Sequence, residues 1–90
     1  MNYVYILQSE RKQRYYVGYT GDLEKRLQEH NSGKVRSTKA YKPWKLAYKE
    51  SFIDKAPAYK REREIKEFKS GIKFKALIKE AWLSGRWRRS

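Results

Sequence analysis

Two β-forming runs stand almost back to back at the start of the chain, and they constrain its fold more than any other feature. Residues 3–7 read YVYIL and residues 14–20 read RYYVGYT, both dense in β-branched and aromatic types. The stretch between them, residues 9–13, is polar and charged. The spacing predicts a hairpin whose loop is longer than the tightest two-residue type. With Gln8 opposite Gln13, Tyr5 falls opposite Tyr16, and directly opposed residues point to one side of an antiparallel pair. A slip of one residue would put the two tyrosines on opposite faces.

Helical signals follow. Thr20 or Asp22 can cap the start of a helix that carries Leu23 and Leu27 on one face and stops near Asn31-Ser32-Gly33. Residues 34–42 are charged and aperiodic and read as a surface loop. Residues 44–52 (WKLAYKESF) place Trp44, Leu46, Tyr48 and Glu50 at alternate positions, the pattern of a third strand. Asp54 is a good cap for a second helix over residues 55–69, with Pro57 in its first turn and Ala58, Ile65 and Phe68 as its apolar stripe. Ser70-Gly71 breaks it. A third helix runs over residues 72–83, with Ile72, Ala76 and Leu77 inward. The order is β-β-α-β-α-α, with the domain ending at residue 84 and a basic tail over residues 85–90 (GRWRRS).

Composition limits the chemistry. Ninety residues fit one domain, and 39% hydrophobic content is too high for a disordered tail. The chain has no cysteine and one histidine, which excludes disulfides, thiolate metal sites and a histidine-rich zinc site. Any metal must be held mainly by oxygen, which points to Mg2+ or Mn2+. No apolar run approaches the roughly 20 residues of a membrane span, and no signal peptide is visible, so a cytoplasmic location is expected and a membrane partner is not. A net charge of +13, spread along most of the chain, makes nucleic acid the leading partner. Ribosomal RNA and anionic membrane are the competing explanations of charge alone.

Several motifs stand in a fixed order. Tyr3-Val4-Tyr5 lies on the first strand and Tyr16-Val17-Gly18 on the second. Arg26 and His30 sit four residues apart on the first helix, and Arg61-Glu62-x-x-Ile65-Lys66 lies on the second. This set, over roughly residues 2–70, resembles the GIY-YIG nuclease superfamily in its small single-domain members. The first triplet departs from the family pattern by opening on Tyr3 instead of Gly, at a position where the family tolerates variation. The resemblance implies an α+β fold, a small three-stranded antiparallel sheet flanked by helices. It implies a metal-dependent DNA endonuclease, with repair or recombination as its setting. It also implies catalytic roles for Tyr5, Tyr16, Arg26, His30 and Glu62, with Glu62 the metal ligand.

Each residue also has a plainer reading. Tyr5 and Tyr16 can be ordinary strand aromatics. A tyrosine with an unperturbed pKa of about 10 is a poor base at neutral pH unless a cation favours its phenolate. By resemblance one of the two, Tyr5 before Tyr16, activates the water, and the other orients it or contacts phosphate. Gly18 can admit a close phosphate or helix, or mark a bulge. Arg26 can grip a phosphate with two parallel hydrogen bonds or be a solvated charge. His30 can hold a proton, orient Tyr5, or act as a cation at the helix C-terminus. Asn31 reads most simply as a capping residue. Glu62 and Glu64 flank the apolar stripe on either side; periodicity does not choose between them, and the family pattern selects Glu62. Its plainer role is to balance Arg61, Arg63 and Lys66. Gly18, Lys34, Arg36 and Lys39 are the expected supporting DNA contacts.

A non-catalytic, basic nucleic-acid-binding module on the same fold is the alternative to an enzyme, because fold does not prove activity. Without a second DNA-binding domain, specificity from this chain is expected to be low. That leaves a role for a partner protein and leaves the oligomeric state open.

Overall fold

The computed structural model describes residues 1–69 and 71–83, and the side chains of residues up to 80. Strands β1 (Asn2–Ser9), β2 (Tyr15–Thr20) and β3 (Trp44–Phe52) form an antiparallel sheet in the order β2-β1-β3. Helix α1 (Leu23–Ser32) follows the hairpin, and α2 (Lys55–Glu67) and α3 (Ile72–Leu83) follow β3. The α+β architecture and its order are those expected from the sequence. The basic tail over residues 85–90 lies outside the described residues. No helix among the described residues is long and apolar enough to cross a membrane.

The hairpin register differs from the expected one by two residues. Tyr5 pairs with Gly18 and Leu7 with Tyr16, while Gln8 pairs with Tyr15 instead of facing Gln13. The cause is the turn. Ser9 N–H donates to the Arg14 carbonyl at 2.9 Å, and the Ser9 hydroxyl accepts from the amides of Arg11 and Lys12. These bonds draw residues 10–14 into the loop. A shift of two preserves the face, so Tyr5 and Tyr16 remain on one side as diagonal neighbours.

Alternation along β1 divides the molecule. Val4 and Ile6, with Val17 of β2 and Ala47, pack against Ala58 and Ile65 of α2 and Phe74 and Ile78 of α3. Tyr5 and Leu7 point the other way, against Trp44, Tyr16 and the Leu23/Leu27 side of α1. The simple alternation read for β3 breaks at a bulge. Leu46 is opposite Leu7 but Tyr48 is opposite Ile6, so Ala47 is the extra residue. Trp44 and Leu46 therefore cover the α1 face, whereas Ala47 and Tyr48 turn to the α2/α3 face.

The inward face of α3 is rotated from the expected one. Ile72 is 88% exposed and Ala76 is exposed, whereas Phe74 and Ile78 are buried and Leu77 is partly buried. Phe74 fixes this phase by meeting the Tyr15 ring edge-on at 5.1 Å between centroids.

Candidate active site

The site grows from one close approach. The phenol end of Tyr5 lies against Gly18, where a Cβ would stand 2.5 Å from the Tyr5 hydroxyl and 2.9 Å from the Tyr16 ring. Any side chain there would have to push the Tyr5 phenol and the Tyr16 ring aside. The space that sequence reasoning left for a phosphate, a helix or a bulge above Gly18 is thus filled by the Tyr5 phenol. Tyr5 and Tyr16 are tilted neighbours, with centroids 6.2 Å apart. Tyr5 is buried and Tyr16 is half-buried.

Helix α1 brings two more groups. Asp22 caps its start by accepting from the Lys25 amide at 3.1 Å, and Gly33 ends it in the left-handed region at φ 84°. Gly33, not Asn31, is the C-terminal cap. Asn31 instead joins α1 to β3 through two bonds with the Trp44 backbone. Arg26 and His30, one turn apart, face the tyrosines. His30 is fully buried. Its Nε2 is 3.1 Å from the Tyr5 hydroxyl and its Nδ1 is 2.7 Å from the Thr38 hydroxyl. Its ring is 4.7 Å from that of Tyr16, centroid to centroid.

Electrostatics follow from burial. Desolvation first, then the Arg26 charge, pull the His30 pKa down to about 4. His30 is therefore neutral near pH 7, which rules out the reading as a charged group on the helix C-terminus. Burial pushes the Tyr5 phenol up to about 12, against the lowering effect of a hydrogen bond from Arg26 and with raising contributions from Tyr16 and Glu62. Arg26 is held in its charged form chiefly by its hydrogen bond to Tyr5, and Glu29 pairs with it at 3.0 Å. A cleft of about 330 Å³, lined by Tyr19, Thr20, Asp22, Lys25, Arg26 and Glu29, opens beside the guanidinium.

Helix α2 packs on the far face of the sheet, yet the Glu62 carboxylate acts electrostatically on Tyr5. Its side chain is 12% exposed and pairs with Lys66 at 3.6 Å, whereas that of Glu64 is 47% exposed and pairs with Arg61. Arg61 is in turn held by Glu50, which also accepts a short hydrogen bond from the Tyr48 hydroxyl. Of the two glutamates that periodicity left equal, Glu62 is the enclosed one. One enclosed carboxylate, that of Glu62, is a donor that fits a hard divalent cation of the magnesium type. Magnesium takes one or two carboxylates and completes its shell with water and phosphate.

Lys34, Arg36 and Lys39 are exposed on the segment after α1. That segment is less loop-like than its composition predicts, because Lys39–Tyr41 form a 3-10 turn and Thr38 is 1% exposed. Thr38 and Glu29 are the site residues that sequence reasoning missed. Thr38 carries no periodic or motif signal, and its burial arises from tertiary contacts. Glu29 lies three residues after Arg26, the spacing of a helical ion pair, and that signal was available.

A family model for the GIY-YIG catalytic domain matches residues 1–73. A UPF0213 protein of Syntrophus aciditrophicus is 44% identical over 81 residues, covering 88% of this chain and 91% of its own length. One from Staphylococcus saprophyticus is 40% identical over 77 residues, covering 84% and 93%. Among solved structures, the solution NMR structure of the UPF0213 protein BH0048 from Bacillus halodurans is 31% identical. It covers 97% of this chain and 86% of that one, with a TM-score of 0.48. The chain belongs to the GIY-YIG family, a nuclease superfamily, and its relatives are the small UPF0213 proteins.

Proposed function

We propose that this protein is a metal-dependent DNA endonuclease whose site is formed by Tyr5, Tyr16, Arg26, His30 and Glu62. The observation that supports this most is the convergence of Tyr16, Arg26 and His30 on Tyr5. Two tyrosines and a neutral histidine are in ring contact, one phenol hydrogen-bonds the histidine, and a guanidinium charge acts on that phenol. The fifth, Glu62, is close enough to raise that phenol's pKa.

Phosphodiester hydrolysis needs an oriented water, positive charge at the reacting phosphate, and help for the leaving oxygen. Tyr5 is buried and keeps its proton, so it orients its neighbours. Tyr16, half-buried beside it, would then be the tyrosine that meets a water, in place of the Tyr5 that the resemblance put first. Arg26 supplies fixed charge at the cleft, where a phosphate would compete with Glu29 for it. Glu62 would hold the metal, which supplies Lewis-acid stabilisation of the leaving oxygen when bound. Lys34, Arg36 and Lys39 add sequence-independent attraction for the backbone, as expected of a chain of net charge +13.

The test is single-turnover cleavage of duplex, flapped, branched and single-stranded DNA with Mg2+ or Mn2+. Wild type and Glu64→Ala are expected to cut. Glu62→Ala is expected to lose metal-dependent cleavage while binding DNA equally or slightly more tightly, because it removes a negative charge from a phosphate-binding surface. Tight binding with no cleavage of any form would make the protein a non-catalytic nucleic-acid-binding module. Loss of cleavage in Glu64→Ala alone would move the metal site to that residue.

A further inference from the structure

A chain of polar contacts runs from the site to the backbone after α1, and it has a direction. At one end the Val35 carbonyl, which can only accept, lies 3.3 Å from the Thr38 hydroxyl. Next come Thr38 and His30 Nδ1 at 2.7 Å, then His30 Nε2 and the Tyr5 hydroxyl at 3.1 Å. At the other end is the Tyr5 phenol, beside the positive charge of Arg26, which favours lone pairs turned toward it. The hydroxyl, the neutral imidazole and the phenol each have one hydrogen to give. Every link is satisfied only if all hydrogens point the same way: Tyr5 to Nε2, Nδ1 to Thr38, and Thr38 to Val35. Reversed, Thr38 would spend its one hydrogen on Nδ1, and its contact with the Val35 carbonyl would hold none.

We propose that Thr38 is a positioning residue of the site: its hydroxyl holds His30 in the Nδ1–H tautomer, so that Nε2 accepts the Tyr5 phenolic hydrogen and the phenol oxygen faces Arg26. The part played by Tyr5 and Arg26 in cleavage rests on the nuclease reading above; the tautomer does not. Thr38 is well placed to hold this direction. It is buried, its amide donates to the Val35 carbonyl at 3.2 Å, and its carbonyl accepts from Trp44 Nε1 at 2.9 Å. The contact is a hydrogen bond and no proton is transferred, since a phenol pushed up to about 12 beside an imidazole pulled down to about 4 keeps its hydrogen. The consequence is geometric: the Tyr5 hydroxyl is aimed from Val35 through Thr38 and His30.

His30 is the only histidine in the chain, so its ring nitrogens can be read without assignment ambiguity. Free histidine in water favours the Nε2–H form, which makes the opposite tautomer a distinctive signature. The experiment is long-range 1H–15N correlation NMR on the labelled full chain at pH 7. The expected result is a protonated Nδ1 and a bare Nε2 in wild type and Thr38→Ser, and a shift to Nε2–H in Thr38→Val. Single-turnover cleavage should fall on the order of 10-fold or more in Thr38→Val and survive in Thr38→Ser. An Nε2–H tautomer in wild type, or an unchanged Nδ1–H in Thr38→Val, overturns the proposal. So does a Thr38→Val protein with the shifted tautomer that cuts at the wild-type rate. If Thr38→Val fails to fold, the wild-type spectrum still decides the tautomer and Thr38→Ser tests the rescue. Nδ1–H in a wild type that cuts no DNA would defeat the nuclease reading and leave the tautomer assignment standing.

Discussion

The two faces of the three-stranded sheet do different things with the same strand. Toward α2 and α3, β1 presents Val4 and Ile6 to a core of aliphatic side chains and Phe74. Toward α1, it presents Tyr5 to a buried histidine, a second tyrosine and an arginine. The first face holds the fold by removing apolar area from water. The second is also closely packed, but its buried members carry polar atoms that stay only because they satisfy one another. Strand alternation therefore lets 90 residues carry a core and a candidate reaction centre a single peptide apart.

The largest expected effect breaks the two faces apart. Tyr16→Phe and Tyr5→Phe each remove a hydroxyl and little volume, and each should lower single-turnover cleavage on the order of 10²–10⁴-fold. Thermal melting should move little in Tyr16→Phe and by roughly 5–15 °C in Tyr5→Phe, which leaves the buried His30 Nε2 without its partner. Full activity in both variants would reduce the α1 face to a second core. Conversely, Ile65→Ala on the α2 face should cost about 2–5 kcal/mol of stability in denaturant titrations. Its cleavage per folded molecule should be unchanged.

A pH titration sharpens the contrast. His30 has a folded pKa near 4, below the ordinary histidine value of 6.5, so the unfolded chain binds more protons between those values. Stability is then fully present above about pH 6.5 and falls as the pH drops toward 4, by on the order of 3 kcal/mol. Urea midpoints at pH 7 and pH 4.5 read this directly, and His30→Gln should remove most of the difference that carboxylates do not account for. The smallest effect concerns Glu29. Glu29→Gln frees Arg26 from its 3.0 Å partner and should raise DNA affinity roughly two- to five-fold at low salt, with the gain shrinking as salt rises. An unchanged affinity would mean that Arg26 is not reached by phosphate.

Much of this was legible in the chain because it is local or patterned. The strand runs, the Asp22 and Gly33 caps and the Ala58/Ile65 stripe follow from propensity, capping and period. The ordered tyrosine triplets, with Arg26 and His30 one turn apart, marked the site. What was missed depends on contacts that no period encodes. The hairpin register turned on the Ser9 hydroxyl gathering two loop amides. The β3 alternation failed at a bulge, and the α3 phase was set by where Phe74 meets Tyr15. Thr38 sat in a stretch whose charge suggested only solvent, although its hydroxyl meets the one histidine.

The most direct test of a reaction centre on the α1 face compares two positive charges on opposite sides of the molecule. Arg26→Ala removes the guanidinium whose charge acts on Tyr5, and Lys73→Ala removes an exposed charge from α3. Single-turnover cleavage at saturating protein and matched salt, with DNA affinity measured in parallel, separates a local role from a diffuse one. The prediction is that Lys73→Ala cuts like wild type while Arg26→Ala loses roughly 10²-fold or more in rate with only a small loss of affinity. Equal losses of rate in the two variants, in proportion to their affinities, would contradict it.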